Sequence, residues 1–107
     1  MTMTAKAIIH SLRKNIQVFL PGARVMLFGS RAHGDFERGQ DFDLLIISNE
    51  HFLPKRKIEI ETTINKVLVK RYHMPFDILL YSQREIEEKG DQKSFILFHA
   101  LKQAVEI

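Results

Sequence analysis

The apolar residues of this chain recur with two different periods, and these periods predict where helices and strands lie. Near the start of the chain they are spaced three or four residues apart, which predicts an amphipathic helix over Thr4–Phe19. We expect Pro21 and Gly22 to end this helix and to turn the chain. The apolar face of the predicted helix consists of Ile9, Leu12, Ile16 and Phe19.

Two short segments are apolar at consecutive positions, which is typical of strands that are buried on both faces of a sheet. They are Arg24–Phe28 and Phe42–Ser48. The segment between them is polar and too short for a crossover helix, so we expect these two strands to be antiparallel. Within this segment, Ser30 is expected to cap a helical turn over residues 31–33, and a loop over residues 34–40 follows.

Helical spacing returns after the second strand and predicts a long helix over Pro54–Arg71. The residues expected on its buried side are Ile60, Ile64, Val67 and Leu68. Met74 and Pro75 interrupt the helical pattern, and Phe76–Tyr81 has the composition of a third strand. Because a helix joins the second strand to the third, we expect those two strands to be parallel.

The C-terminal part of the chain predicts two further helices. Ser82 and Glu85 have the spacing of a capping box, which predicts a short helix that ends near residue 90. A final helix is predicted over Ser94–Glu106, with an apolar face wider than one contact with a sheet requires. Two interpretations fit this face equally: the helix packs between the sheet and the first helix, or part of the face, around Phe95 and Phe98, contacts another protein chain, either a partner or a second copy.

These elements predict an α+β fold (mixed α/β), in which a small mixed β-sheet of three to four strands is covered by helices. The length of 107 residues fits a single domain over residues 1–107. The composition, 45% hydrophobic and 27% charged residues, is ordinary for a soluble globular protein.

Composition also excludes several classes of function. The chain has no cysteine, which excludes disulfides and thiolate metal sites. No apolar run approaches the roughly 18 residues of a membrane helix, and the first residues do not have the pattern of a signal peptide, so we expect a cytoplasmic protein without membrane contact. The net charge of +3 is too small to indicate nucleic-acid binding.

Three aspartates stand where apolar strands begin, and burial of a core does not require them there. Asp41 and Asp43 flank Phe42 at the start of the second strand, so both should project to the same face. Asp77 repeats the arrangement at the start of the third strand. Carboxylates that close repel one another unless a cation lies between them, and Mg²⁺ takes such oxygen ligands. The pattern predicts a site for one or two Mg²⁺ ions at one end of the sheet.

A Gly-Ser pair follows the first strand and completes the pattern. Gly29 and Ser30 would supply free backbone N–H groups and a helix start, which suit the phosphates of a nucleotide. Taken alone, the pair also fits a plain turn, and each aspartate also fits a capped loop or a solvated strand end. Their order along the chain favours a nucleotide and metal site.

In this order the residues resemble the minimal nucleotidyltransferases, or MNT domains, of the DNA polymerase beta-like superfamily. The resemblance rests on the Gly29-Ser30-Arg31-Ala32-x-Gly34 segment, on Asp41-Phe42-Asp43-Leu44 and on Asp77. It covers most of the chain and implies the polymerase beta-like nucleotidyltransferase fold.

The resemblance implies a role for each matching residue. Asp41, Asp43 and Asp77 would hold the metal and form the catalytic set, with Asp77 also helping to deprotonate the attacking hydroxyl. Gly29 and Ser30 would contact the phosphates of ATP or another nucleoside triphosphate.

Arg31 would belong to the nucleotide site as well, although pairing with Asp35 is an equal alternative for it.

The resemblance also implies a function and a partner. Many MNT domains act as antitoxins beside a HEPN-domain toxin, and some transfer AMP from ATP to a tyrosine of that toxin. We therefore expect an Mg²⁺-dependent nucleotidyltransferase that modifies a hydroxyl of a HEPN protein. The alternatives are a non-catalytic antitoxin that binds nucleotide or acts sterically, and an enzyme that modifies a small molecule such as an antibiotic.

Overall fold

The computed structural model describes residues 4–29, 42–89 and 101–107. Thr4 caps the first helix, because its hydroxyl accepts a hydrogen bond of 3.1 Å from the Ala7 N–H. No helix in the described ranges is both long enough and apolar enough to cross a membrane.

The elements, in chain order, are α1 (Ala5–Gln17), β1 (Arg24–Phe28), β2 (Phe42–Ser48), α2 (Pro54–Tyr72), β3 (Phe76–Ser82), α3 (Gln83–Lys89) and β4 (Val105–Glu106).

The four strands form one mixed sheet in the order β3-β2-β1-β4. β1 is antiparallel to both β2 and β4, whereas β2 and β3 are parallel and pair without offset from Phe42 opposite Phe76 to Ser48 opposite Ser82. α2 forms the crossover that a parallel pair requires. The predicted strand directions and the α+β class are confirmed.

Side-chain alternation gives the sheet two differently covered faces. One face packs against α1 and α2, through residues such as Leu12, Ile16, Ile64 and Leu68, which are almost fully buried. We call this the helix-covered face. The opposite face, which we call the second face, carries a smaller cluster that consists of Leu45 and Ile47 with Met26, Phe28, Leu79, Tyr81, Ile86 and Leu101.

The first helix is shorter than predicted and buries a slightly different set of residues. It ends at Gln17, and Gly22 turns the chain with a φ of 79°, so Phe19 leaves the helical stripe and is 40% exposed. Ile8 is buried in the place that was predicted for Ile9, which is half-buried.

The long helix extends one residue beyond the predicted end, and Val67 was wrongly predicted to be buried. The buried positions recur every four residues at Ile60, Ile64, Leu68 and Tyr72. Val67 precedes Leu68 by one residue, a rotation of about 100° around the helix, and it lies at the surface.

The C-terminal segment departs most from its prediction as a helix over Ser94–Glu106. Residues 101–103 are helical, but Val105 and Glu106 form β4 beside β1. Pairing satisfies the open edge of β1, because the Ile107 N–H donates to the Val25 carbonyl at 2.9 Å. The guanidinium of Arg24 also donates two hydrogen bonds to Glu106, at 2.8 and 3.1 Å. The start of the predicted helix, with Phe95 and Phe98, lies outside the described residues.

The predicted capping box at the start of α3 is confirmed. The Glu85 N–H donates to the Ser82 hydroxyl at 3.1 Å, and the Ser82 N–H donates to the Glu85 carboxylate at 3.0 Å. Lys57 of α2 adds an ion pair to Glu85 at 3.3 Å and lies 3.8 Å from the centre of the Tyr81 ring. Short-range capping and a long-range ion pair therefore fix α3 to the sheet and to α2.

Candidate functional site

One end of the sheet brings together three of the residues predicted to form the site. This end consists of the last residue of β1 and the first residues of β2 and β3. Phe28 lies opposite Asp43, and Asp43 lies opposite Asp77. Gly29 follows Phe28 directly. The other predicted site residues, Ser30, Arg31 and Asp41, lie outside the described residues, as do the predicted helical turn and loop.

Asp43 and Asp77 project to the same face of the sheet because they are register partners on neighbouring strands. Adjacent strands are about 4.8 Å apart, so the two residues are direct neighbours. Both lie on the second face, in the rows that continue as Leu45 and Leu79. Asp43 is half-buried and Asp77 is exposed. The arrangement gives two adjacent carboxylates with access to solvent at a sheet end.

The two residues that precede the aspartates fix this arrangement from the helix-covered face. The rings of Phe42 and Phe76 stack with centres 5.3 Å apart and planes 15° apart. The Phe42 N–H donates to the Pro75 carbonyl at 3.3 Å, and Tyr72 packs against Phe76 at 5.9 Å between ring centres. Because side chains alternate along a strand, the buried phenylalanines direct the next residues to the opposite face.

Gly29 lies directly against Asp43. It has a φ of 74°, a left-handed conformation that glycine adopts without strain. A Cβ atom at this position would lie 3.2 Å from Cγ of Asp43 and closer still to one carboxylate oxygen. The residue at position 29 therefore needs to lack a side chain for the turn to approach the carboxylate.

Two polar residues of α2, which the sequence pattern did not single out, hold the outer edge of β3. Asn65 donates to the Phe76 carbonyl at 2.7 Å, and Glu61 accepts from the Leu80 N–H at 3.0 Å. The signal that could have indicated them is their spacing of four residues beside the buried stripe of α2. Asn65 acts on the peptide group that leads into Asp77, so it fixes the strand at the acidic end of the sheet.

The donor atoms at this end suit a hard divalent cation. Mg²⁺ is commonly held by one or two carboxylates together with phosphate oxygens of a substrate. Asp43 and Asp77 supply such carboxylates, on neighbouring strands. Within residues 4–29, 42–89 and 101–107, no group of three His, Cys, Asp or Glu residues is close enough to hold a metal by itself. The predicted third carboxylate, Asp41, lies outside those ranges.

Structural comparison finds the same fold in chains of toxin–antitoxin structures. A chain from the tri-AMPylated HEPN toxin of Shewanella oneidensis in complex with MNT antitoxin matches with a TM-score of 0.55 and 15% identity, over 95% of this chain and 70% of that chain. A chain from a toxin–antitoxin structure with AMP-PNP matches with a TM-score of 0.50 and 21% identity, over 97% of this chain and 72% of that one. The fold is thus polymerase beta-like, as predicted.

Sequence comparison gives the same family. A candidate protein adenylyltransferase of Methanocaldococcus jannaschii is 36% identical over 75 residues, which are 68% of this chain and 71% of that protein. The family model of the nucleotidyltransferase domain matches residues 7–102, which include both described aspartates and Gly29. This chain belongs to the nucleotidyltransferase domain family.

Proposed function

We propose that this chain transfers AMP from ATP to a hydroxyl group of a HEPN partner protein, in an Mg²⁺-dependent reaction, and that it acts as the antitoxin of the pair. The archaeal relative is named as a candidate protein adenylyltransferase, which supports a protein acceptor. One structural neighbour is a complex with an AMPylated HEPN toxin and another contains AMP-PNP, which support the partner and an adenine nucleotide.

The observation that carries the proposal is the pairing of Asp43 with Asp77 on one face, beside the left-handed Gly29. Adjacent carboxylates at the end of a sheet are oxygen ligands of the kind that Mg²⁺ takes. The left-handed turn at Gly29 would bring backbone N–H groups, which suit a phosphate, close to these carboxylates. Acid pair and turn together suit a nucleoside triphosphate that carries its own metal ion.

The proposed roles follow the family resemblance. Asp41, Asp43 and Asp77 would hold one or two Mg²⁺ ions, which neutralise the negative charge of the phosphates when bound. Gly29 and Ser30 would contact those phosphates. Arg31 is proposed for the nucleotide site as well.

The proposed reaction is an in-line displacement at the α-phosphorus of ATP. The acceptor hydroxyl oxygen forms a bond to that phosphorus, the bond to the bridging oxygen of the β-phosphate breaks, and pyrophosphate leaves. Asp77 is exposed, so its carboxylate is accessible to take the hydroxyl proton. Positioning of the two substrates then supplies much of the rate.

The test is transfer of label from α-³²P-ATP with Mg²⁺ to a co-purified HEPN partner. We expect the wild-type chain to label the partner, and Asp43→Asn and Asp77→Asn to lower the rate at least about 100-fold, because a lost metal ligand removes several kcal/mol of stabilisation. Glu59→Gln, an equal charge change on the exposed side of α2, is the matched control and should retain the rate.

Two other outcomes would replace the proposal. A partner that remains unlabelled, yet is still bound and neutralised by the Asp43→Asn chain, would show a non-catalytic antitoxin. Label that reaches an aminoglycoside but no protein would show a small-molecule nucleotidyltransferase.

A further inference from the structure

A groove between α2 and β3 leads to Asp77. It has a volume of about 360 Å³. One wall is formed by exposed or half-buried residues of α2, and the other by the first three residues of β3, Phe76–Ile78. The residues on the α2 wall are Glu61, Thr62, Asn65 and Lys66. The groove therefore joins the acidic end of the sheet to the outer edge of β3.

The backbone of Ile78 faces this groove. In a parallel pair, alternate residues of a strand direct their N–H and C=O groups to the partner strand, and the others direct them away. The Phe42 N–H bonds to Pro75, so residues 75, 77 and 79 face β2. Phe76 and Leu80 face outward, as their bonds to Asn65 and Glu61 show. Ile78 lies between them and faces outward as well.

α2 satisfies the backbone on each side of Ile78 but has no hydrogen bond to Ile78 itself. Asn65 donates a hydrogen bond to the Phe76 carbonyl, and Glu61 accepts one from the Leu80 N–H. Among the described residues, no side chain is bonded to the N–H or C=O of Ile78. A long strand therefore cannot pair along the whole edge of β3. One residue of an extended segment could still pair there, through two hydrogen bonds to the N–H and C=O of Ile78.

An extended segment in this position would also place a side chain beside Asp77. Residues of a strand that pairs with β3 lie about 4.8 Å from it, and the residue next to Asp77 projects to the same face as Asp77. Asp43 projects to that face too. A hydroxyl at this point of the segment would lie next to the acid pair.

We infer that the α2–β3 groove binds an extended segment of the protein acceptor, which pairs with the backbone of Ile78 and so presents its hydroxyl to Asp77. This inference rests on the proposed function, since it assigns the acceptor subsite of the same reaction. Lys66 is exposed on the α2 wall and forms no ion pair with another described residue, so it is available to pair with an acidic side chain of that segment.

The experiment uses the HEPN partner that the wild-type chain labels, and it compares variants inside and outside the groove. Thr62→Arg fills the groove, and Lys66→Glu replaces the positive side chain on the α2 wall by a negative one. Thr63→Arg and Lys70→Glu are the matched controls, since both residues are exposed on α2 but do not line the groove. We expect the two groove variants to raise KM for the HEPN partner about tenfold or more, with KM for ATP unchanged, and the controls to change neither.

Removal of the Ile78 N–H tests the backbone pairing directly. Proline is tolerated on an edge strand where the N–H faces away from the sheet, so Ile78→Pro keeps the ladder to β2. Ile78→Val keeps the N–H with a smaller side chain and is the control. We expect Ile78→Pro to raise KM for the HEPN partner about tenfold relative to Ile78→Val. Circular dichroism and ATP binding establish whether each variant is folded. If Ile78→Pro does not fold, the KM values of the α2 variants test the groove on their own.

The outcomes separate the two proposals. Equal KM values for the HEPN partner in the groove variants, the controls and the wild type would overturn the acceptor groove and leave the proposed function standing. A wild-type chain that labels no protein would overturn the proposed function, and the acceptor groove with it.

Discussion

At the scale of single residues, the contact between Gly29 and Asp43 defines the acidic end of the sheet. The two residues are 14 positions apart in sequence, and the antiparallel pairing of β1 with β2 brings them together. The sequence pattern predicts the Gly-Ser pair as a turn that contacts phosphates. The requirement for glycine has a second cause, close approach to a carboxylate, and this contact depends on strand pairing that no local pattern specifies.

Replacement of Gly29 by alanine should therefore lower AMP transfer by more than the loss of stability explains. The added Cβ would displace the Asp43 carboxylate, and the left-handed φ costs about 1 kcal/mol for any residue with a side chain. We expect a loss of stability of about 1–2 kcal/mol, measured by urea unfolding, and a fall in AMP transfer of at least about tenfold.

Gly22→Ala is the matched control for this change. Gly22 has a similar φ of 79°, and its added Cβ would meet only the side-chain amide of Asn49, away from the acidic end. It should lower stability by a similar amount and leave transfer intact. Equal activity of both variants would mean that Gly29 serves only the turn.

At the scale of elements, the sequence predicted local capping well and long-range edges poorly. The capping box of α3 depends on residues three positions apart, and it has the predicted partners. The last helix was predicted through Glu106 because its apolar spacing continues. That segment instead pairs with β1, whose open edge offers backbone partners that a single-segment pattern cannot reveal. Asn65 and Glu61 were missed because their spacing in α2 indicates only a shared helix face, whereas the backbone groups they bond lie on the edge of β3.

The capping box also makes the stability of α3 dependent on pH. Burial alone would raise the pKa of Glu85, but the hydrogen bonds from Ser82 and the charge of Lys57 outweigh it and lower the pKa below its ordinary value of 4.5. A carboxylate with a lowered pKa stabilises the fold above pH 4.5 and loses this contribution as the pH falls toward its folded-state pKa.

Replacement of Glu85 by glutamine should consequently be costly at neutral pH and nearly harmless in acid. We expect a loss of about 1–2 kcal/mol at pH 7, and a difference from the wild type that shrinks as the pH is lowered from about 5 to about 3. Urea unfolding across this range measures it. Glu88→Gln, which breaks an exposed pair with Arg84, should change stability little at pH 7. A constant difference between Glu85→Gln and wild type at all pH values would contradict the assignment.

At the scale of the whole molecule, one polar network joins the two helices that cover the sheet. The Tyr72 hydroxyl, at the end of α2, bonds to Ser11 at 2.6 Å and to Asn15 at 2.5 Å in α1. Tyr72 is 5% exposed, so its hydroxyl is sheltered from solvent and depends on these partners. The network thus connects α1 to Tyr72, whose ring packs on Phe76.

A double-mutant cycle measures how strongly this network couples α1 to α2. We expect Tyr72→Phe to cost about 1–2 kcal/mol, because it leaves Ser11 and Asn15 without their shared partner. Ser11→Ala should cost less in the Tyr72→Phe background than in the wild type, by about 0.5–1 kcal/mol. The unrelated pair of Tyr72→Phe with Thr63→Ala should be additive. If Tyr72→Phe and Ser11→Ala were additive too, the hydrogen bond between the Tyr72 and Ser11 hydroxyls would contribute nothing to stability.

The general architecture could be predicted from the sequence because periodicity and connection length constrain it directly. Antiparallel β1 and β2 follow from a short connection, and parallel β2 and β3 follow from the helix between them. The alternation that separates Phe42 from Asp43 and Phe76 from Asp77 is local too. The stacking of the two phenylalanines and the absence of an offset between β2 and β3 depend on tertiary packing. They decide whether the two aspartates become neighbours.

The pairing of β2 with β3 also has a consequence for refolding. A slip of β3 by one residue would turn Asp77 to the helix-covered face, among apolar side chains, where a carboxylate without a partner is costly by several kcal/mol. The same slip would part Phe76 from Phe42. Molecules that mispair these strands would be unstable as well as inactive. The specific activity of a refolded sample would therefore be proportional to the fraction of molecules in which β2 and β3 pair in the native register.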